Sequence, residues 1–175
     1  MTTFTNGTVT IERGTDTARG WHYNAVSLSG AALWNAVYAG VTTQTQPEVA
    51  LRVMRESGDG PLKLGFFDVA PTSLAVDGVW LEASNTWVAH TVASGNETTV
   101  DTLVPVRTDR PQELYVVVVA PNLVRVFIDG FRAAQIPTTI PETTTSLLPQ
   151  VSAEDDSGDS VWRVGTVIGL SNLEL

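Results

Sequence analysis

Short segments rich in β-branched residues dominate this chain and limit it to folds built from strands. Val occurs 24 times and Thr 23 times in 175 residues, so the two together make up more than a quarter of the sequence. Their branched Cβ restricts the χ1 angle in a way that suits extended backbone better than helix. The sequence therefore predicts an all-β protein. One stretch, Gly30–Ala39, has a weak helical pattern in which Leu33, Ala36 and Val37 share a face.

Alternation between apolar and polar residues predicts individual strands. In Val49–Arg55, for example, Val49, Leu51 and Val53 share one face. The same alternation occurs at Thr8–Arg13 and, after the turn-forming residues 58–61, at Leu62–Phe66. Such segments are typical of half-buried antiparallel strands.

Turn-forming residues predict two groups of hairpins in the middle of the chain. Val79–Glu82 and Trp87–Val92 form the first hairpin, joined by residues 84–86. Three successive antiparallel strands follow at Leu114–Ala120, Val124–Ile128 and Phe131–Ile136. Pro121-Asn122 connects the first two, and Asp129-Gly130 connects the last two. The Asp-Gly pair suits a type I′ turn, because both residues tolerate positive φ.

The C-terminal part of the chain combines a long loop with a last strand. Pro137–Pro149 contains three prolines and six Thr or Ser residues. Because proline cannot continue a β-ladder, we expect this segment to cross a sheet edge or wrap a neighbouring molecule. An acidic loop, Glu154–Ser160, precedes the final predicted strand, Val161–Leu170. Roughly ten to thirteen short strands predict one two-sheet antiparallel jelly-roll sandwich over residues 1–175, with a short N-terminal arm at about 1–7.

Charge and composition exclude several classes of function. Acidic residues outnumber basic ones by 19 to 10, and the net charge of −9 would repel a nucleic-acid backbone. Without cysteine there is no disulfide and no thiolate metal site. The longest aliphatic run, Leu114–Ala120, is too short to cross a bilayer, and the N-terminus lacks the pattern of a secretory signal. We therefore expect a protein made in soluble form, without direct nucleic-acid or membrane partners.

Histidine and acid placement offers little support for catalysis. His22 and His90 are the only histidines, they lie in separate predicted strands, and no G-x-S-x-G motif supplies a nucleophile. A jelly-roll glycosidase needs two acids on one strand face, whereas Glu82 has Trp80 and Ser84 at the neighbouring same-face positions. The sequence therefore predicts a protein that is not an enzyme and has no cofactor.

The acidic loop 154–160 is the one segment with a cluster of potential metal ligands. Its carboxylate oxygens could surround Ca²⁺, but they lack the ligand spacing of a helix-loop-helix calcium site. We interpret the loop as a solvated acidic turn and predict no metal site, with calcium binding as the alternative.

Aromatic side chains are the best candidates for ligand contacts, because the CH faces of sugars stack on Trp and Tyr rings. Alternation within Val79–Glu82 places Trp80 and Glu82 on one face, and Trp87 lies on the strand paired with them. We interpret Trp80, Glu82 and Trp87 as the candidate ligand-binding residues, for a carbohydrate or a protein partner. The alternative is that these tryptophans pack in the core.

Several longer motifs carry a family resemblance. They are VWLEASNTWVAHTVASGNETTVDTLVPV, PQELYVVVV, VRVFIDGFRAAQIPTTIP, LLPQV and VWRVGTVIGLSNLEL. Together they make the segment Val79–Leu175 similar to the concanavalin A-like (laminin G-like) jelly-roll domains of tailed-bacteriophage virion proteins. LRVMRE and LKLGFFD fit the preceding strands loosely. The chain lacks the E-x-D-x-x-E strand of laminarinase-type glycosidases and the calcium-manganese loop of legume lectins, so neither activity carries over.

The resemblance implies a non-enzymatic structural role on the surface of a bacteriophage particle, as a capsid decoration protein, a head fibre or a tail-fibre adhesin. It implies synthesis in the host cytoplasm without a signal peptide and assembly into the virion with capsid or tail subunits. We expect a homo-oligomer, and a trimer if the protein decorates a capsid. The alternative hypothesis is a carbohydrate-binding module that recognises a host-surface glycan through Trp80 and Trp87.

Overall fold

The computed structural model describes residues 7–29, 32–37, 40–42, 46–68, 75–119, 123–155, 159–165 and 168–170. Every regular element in these ranges is a β-strand. Within them no helix has the length and apolar character that crossing a bilayer requires. In chain order the strands are β1 (Thr8–Asp16), β2 (Trp21–Ser29), β3 (Ala32–Val37), β4 (Val41–Thr42), β5 (Glu48–Ser57), β6 (Leu62–Phe67), β7 (Gly78–Ala83), β8 (Thr86–Ala93), β9 (Asn96–Pro105), β10 (Gln112–Val118), β11 (Val124–Ile128), β12 (Phe131–Ile136), β13 (Ser146–Asp155), β14 (Asp159–Val164) and β15 (Ile168–Leu170).

The strands form two antiparallel sheets that pack face to face. The first sheet has eight strands: seven lie in the order β1-β2-β14-β5-β10-β11-β12, and β15 pairs with β5. The second sheet has seven strands: six lie in the order β3-β13-β6-β7-β8-β9, and β4 pairs with β13. This arrangement confirms the predicted all-β, two-sheet antiparallel jelly-roll sandwich.

Alternate side chains of the central strands fill the space between the sheets. β6 contributes Leu62, Leu64 and Phe66, and β10 contributes Leu114 and Val116, all of which are fully buried or nearly so. Burying an aliphatic or phenyl side chain stabilises the fold by about 1.5–3 kcal/mol each. Successive strand residues point to opposite faces, so the burial of these side chains also fixes which residues look outward.

Both hairpin groups that the turn residues predict are present. β7 and β8 pair in antiparallel register: Ala83 lies opposite Trp87 at one end, and Gly78 lies opposite Val92 at the other. The two strands are connected by residues 84 and 85. β10, β11 and β12 lie side by side in the first sheet. At the turn between β11 and β12, φ is 53° for Asp129, and Gly130 has a φ of 81°. These are the positive values that a type I′ turn requires.

The predicted loop over Pro137–Pro149 is wrong at its C-terminal end. Its last residues belong to β13, an interior strand of the second sheet, where Pro149 lies opposite Phe66 of β6. On the other side β13 pairs with β4 up to Leu147 and with β3 from Gln150 onward. Pro149 therefore lies where the neighbouring strand changes, a position at which a missing N–H is tolerated.

Two other interpretations also change. The helical interpretation of Gly30–Ala39 is wrong, because residues 32–37 form β3, which pairs with β13. The single predicted strand Val161–Leu170 is two strands, β14 and β15, which pair with different parts of β5. Most of the predicted N-terminal arm (1–6), the Pro121-Asn122 turn and residues 156–158 of the acidic loop lie outside the described residues.

Candidate functional site

Five residues on five neighbouring strands lie side by side across the outer face of the second sheet. Strand register pairs Gln150 of β13 with Gly65 of β6, and Gly65 with Trp80 of β7. Trp80 in turn pairs with His90 of β8, and His90 with Thr99 of β9. Paired residues of antiparallel strands share a face. The sequence neighbours of Gly65 and Trp80 are fully buried between the sheets, so these five residues face away from the core.

The Trp80 side chain lies at the centre of this face with both surfaces of its indole covered. Its ring centroid is 5.2 Å from that of Phe67 on β6 and 4.8 Å from that of His90 on β8, with interplanar angles of 27° and 4°. The indole runs along its own strand, since a Cβ on Gly78 would come within 3.3 Å of its Cζ3. Trp80 is only 9% exposed, so it offers no free ring face to a sugar.

Trp80 instead positions Glu82. Its Nε1 donates a hydrogen bond to Oε2 of Glu82 at 3.3 Å. The pyrrole end of the indole therefore fixes the carboxylate on the outer face, two residues along the same strand. The two residues predicted to share a face do lie together on it. Glu82 exposes a carboxylate, and Trp80 fixes the position of that carboxylate.

The imidazole of His90 lies between two carboxylates. Its Nδ1 is 2.7 Å from Oε1 of Glu97 on β9, and its Nε2 is 3.7 Å from Oε2 of Glu82. The side chains of Glu97 and Glu82 are 47% and 28% exposed, so both retain oxygen atoms that face solvent. We refer to Glu82, His90 and Glu97 as the carboxylate–imidazole row. A carboxylate offers about four lone-pair positions, so the row has acceptors left over for hydroxyl donors.

Further polar groups extend this face towards β13. Lys63 of β6 is opposite Glu82, and its Nζ donates to Oε1 of Glu154 at 3.2 Å. Ser152 of β13 lies opposite Lys63, and its buried Oγ has no hydrogen-bond partner among the described residues. Apart from the ring stack around Trp80, the outer face of the second sheet is thus polar over five strands, from β13 to β9.

Trp87 is not on this face, which corrects the predicted pairing of two surface tryptophans. It is fully buried between the sheets, where its Nε1 donates to Oε1 of Gln112 at 3.0 Å and its ring lies 6.4 Å from that of Trp162. Trp87 and Ala89 both point to the inward side of β8, so the Trp87 ring cannot contact a surface ligand.

Sequence reasoning missed two residues of this site, His90 and Glu97. Nothing in the strand of either residue marks it as part of a site. The signal was the hairpin itself: a connection at residues 84 and 85 sets the register that places His90 opposite Trp80. The other histidine, His22, lies in the first sheet, where its Nδ1 is 3.1 Å from Oγ1 of Thr15.

Metal ligation has no geometric basis in the described part of the chain. No group of three or more His, Asp or Glu side chains there is arranged to hold a metal ion. The alternative of a calcium site in the acidic loop 154–160 falls partly on residues outside the described ranges.

Comparison with known proteins finds similarity of fold without similarity of sequence. No protein-family model and no curated protein matches the chain. Among solved structures, the carbohydrate-binding module CBM66 from Bacillus subtilis matches with a TM-score of 0.62 at 11% identity, covering 97% of this chain and 95% of that one. The fold belongs to the concanavalin A-like jelly rolls.

Proteins with different activities share this fold. An endo-β-1,4-glucuronan lyase from the fungus Trichoderma reesei matches with a TM-score of 0.68 at 10% identity, covering 96% of this chain and 88% of that one. The carbohydrate recognition domain of Emp46p in its potassium-bound form matches with a TM-score of 0.65 at 9% identity, covering 94% and 89%. The fold is therefore common to enzymes and binding domains. These likenesses give no support to the predicted bacteriophage virion relationship.

Proposed function

We propose that this chain is a non-catalytic carbohydrate-binding domain whose ligand lies on the outer face of the second sheet. The observation that carries the proposal is the carboxylate–imidazole row. Planar polar groups held in fixed positions by their neighbours suit recognition of adjacent sugar hydroxyls, because each hydroxyl both donates and accepts hydrogen bonds. Glu82 is fixed by Trp80, and Glu97 is fixed by His90.

Two of the matching structures support this proposal by their function. One is a carbohydrate-binding module and another is a carbohydrate recognition domain, and each aligns with almost the whole of this chain. Similarity at about one residue in ten carries the fold alone, so the argument for binding rests on the residues of this face.

The arrangement of the acids favours binding over hydrolysis. Glycoside hydrolysis needs two carboxyl groups that flank the scissile bond, with a gap of several ångströms between them for the sugar or water. Here the imidazole of His90 occupies the space between Glu82 and Glu97 and contacts both. A bond placed between these acids would have to displace the ring that orders them.

Charge indicates a neutral saccharide as the ligand of this face. The row contains two carboxylates and one imidazole, in a chain with a net charge of −9. An anionic sugar would be repelled at close range, whereas the hydroxyls of a neutral sugar can donate to the carboxylate oxygens.

Titration calorimetry with a panel of neutral oligosaccharides tests the proposal. The panel contains β-glucan, fructan, mannan and galactan fragments. Glu82→Gln and Glu97→Gln keep the shape of each side chain and remove its charge. For any oligosaccharide that binds the unchanged chain, each variant should weaken the affinity about tenfold or more. A hydrogen bond to a charged group contributes about 1.5–3 kcal/mol.

Glu113→Gln is the matched control, because Glu113 is an exposed carboxylate on the first sheet, on the far side of the sandwich. It should leave affinity unchanged. Binding that survives both row variants, or absence of binding to every member of the panel, would contradict the proposal. Release of shortened oligosaccharides would contradict its non-catalytic part.

A further inference from the structure

A polar concavity lies on the first sheet, on the opposite half of the sandwich from the carboxylate–imidazole row. It has a volume of about 450 Å³, and its lining residues come from β1, β2 and the end of β14. We call it the end groove. The residues that line it include Arg13, Thr15, His22, Asn24 and Val164. Its volume is within the range of about 300–1,000 Å³ that is typical of small-molecule sites.

Strand register gathers these side chains on one face. Arg13 of β1 pairs with Asn24 of β2, which pairs with Val164 of β14, and Thr15 pairs with His22. Further along β2 the same face of the sheet points inward and carries buried residues. At the end groove the polar residues of this inward face are exposed, so the face is open to solvent here.

The charge of the end groove is opposite to that of the molecule. Among the described residues its lining contains the guanidinium of Arg13 and no carboxylate, although acids outnumber bases by 19 to 10 in the chain. The two acids of β1, Glu12 and Asp16, flank the lining residues, and alternation places both on the other face of the strand. Asp16 is also bound to Arg19, whose NH1 is 2.6 Å from its Oδ2. This hydrogen bond lowers the pKa of Asp16. On β5, Glu56 accepts two hydrogen bonds of 2.7 Å from Arg163.

The remaining lining groups suit hydroxyls. Nδ1 of His22 is hydrogen-bonded to Oγ1 of Thr15, which fixes the imidazole. In the part of the chain that the structure describes, its other nitrogen has no hydrogen-bond partner. The side-chain amide of Asn24 both donates and accepts. A guanidinium binds a carboxylate through two parallel hydrogen bonds, and this geometry favours a planar oxyanion.

We propose that the end groove is a second binding site, specific for a carboxylate-bearing sugar unit whose carboxylate pairs with Arg13. Thr15, His22 and Asn24 contact the hydroxyls of the same unit. This site is separate from the proposed neutral-sugar site, and either proposal can fail without the other.

Titration of the full chain with trigalacturonic acid tests the end groove, with the neutral galactose trisaccharide and inorganic phosphate measured beside it. Arg13→Ala should weaken binding of the acidic trisaccharide tenfold or more, and added salt should weaken binding to the unchanged chain. Arg13→Lys should restore part of the affinity, because it retains the charge and loses the paired geometry. Arg13 is exposed on an edge strand, so its replacement leaves the core untouched.

Two controls separate this site from others. Arg132→Ala removes an exposed guanidinium from β12, at the opposite edge of the same sheet, and should not change affinity. Glu82→Gln should not change the affinity either. A loss of affinity in that variant would show that the acidic trisaccharide binds the second sheet, and it would overturn the proposal. Equal binding by Arg13→Ala, or no binding at all, would also overturn it. Equal competition by phosphate would show a general oxyanion site and overturn its sugar specificity.

Discussion

Two tryptophans of one hairpin have opposite roles, because adjacent strands place them on opposite faces. Trp87 faces the core and donates to Gln112, whereas Trp80 faces outward between Phe67 and His90 and donates to Glu82. Alternation in the sequence shows which residues share a face. It does not show which face is inside when, as in β8, small residues alternate with larger ones on the inward side.

Replacement by alanine should separate the two tryptophans. Trp87→Ala should lower the free energy of unfolding by about 3–5 kcal/mol, because it leaves a large cavity and removes a partner of the buried Gln112. Trp80→Ala should cost less, since Trp80 belongs to a small cluster with Phe67 and Val92 on the outer face, separate from the core between the sheets. Urea denaturation measures both. An equal loss for the two variants would contradict the assignment of Trp80 to the outer face.

Tyr115 provides a test at alkaline pH. Burial and the carboxylate of Glu48, which accepts a hydrogen bond from the hydroxyl, raise the pKa of Tyr115 to about 12. A folded-state pKa above the unfolded value contributes stability that is present below about pH 10, and it is lost as the pH rises towards 12. The free energy of unfolding should therefore fall across this window.

Tyr115→Phe should show a smaller alkaline fall than the unchanged chain. Denaturation at a series of pH values from about 9 to about 12 measures the difference. Identical pH slopes for Tyr115→Phe and the unchanged chain would show that Tyr115 is not the group responsible.

Among the elements, hairpins were predicted well and β13 was predicted poorly, for physical reasons. Asp129-Gly130 carries its turn conformation in the backbone preferences of two residues, so the sequence alone suffices. In contrast, Pro149 is compatible with an interior strand only because the partner on one side changes there. Likewise the alanines around Leu33 favour helix locally, and pairing of β3 with β13 overrides that preference.

The turn between β11 and β12 should be sensitive to backbone conformation alone. Gly130 has a φ of 81°, and a Cβ added there would meet no heavy atom within 4 Å. Gly130→Ala should therefore cost about 1 kcal/mol through strain in the left-handed region. Gly130→Asn should cost less, because Asn tolerates that region. Thermal or urea unfolding measures both, and equal costs would contradict a purely backbone origin.

For the whole molecule, the sequence predicted the architecture better than the function. Strand periodicity and turn residues follow from the sandwich itself, so they identify the fold. The motif VRVFIDG, which is part of the resemblance to virion proteins, forms β11 and the turn into β12, so it specifies a hairpin and no binding site. Such motifs identify a fold. They cannot separate a structural subunit from a binding domain. The carboxylate–imidazole row required the register of three strands, β7 to β9, and therefore the folded molecule.

The central claim is that the outer face of the second sheet binds a neutral saccharide. Mapping of amide chemical shifts by NMR, during titration with the neutral oligosaccharide panel, tests it most directly. The account predicts that the largest changes occur at Glu82, His90 and Glu97 and decline towards the first sheet. Changes centred on the first sheet, or no changes with any oligosaccharide, would contradict it.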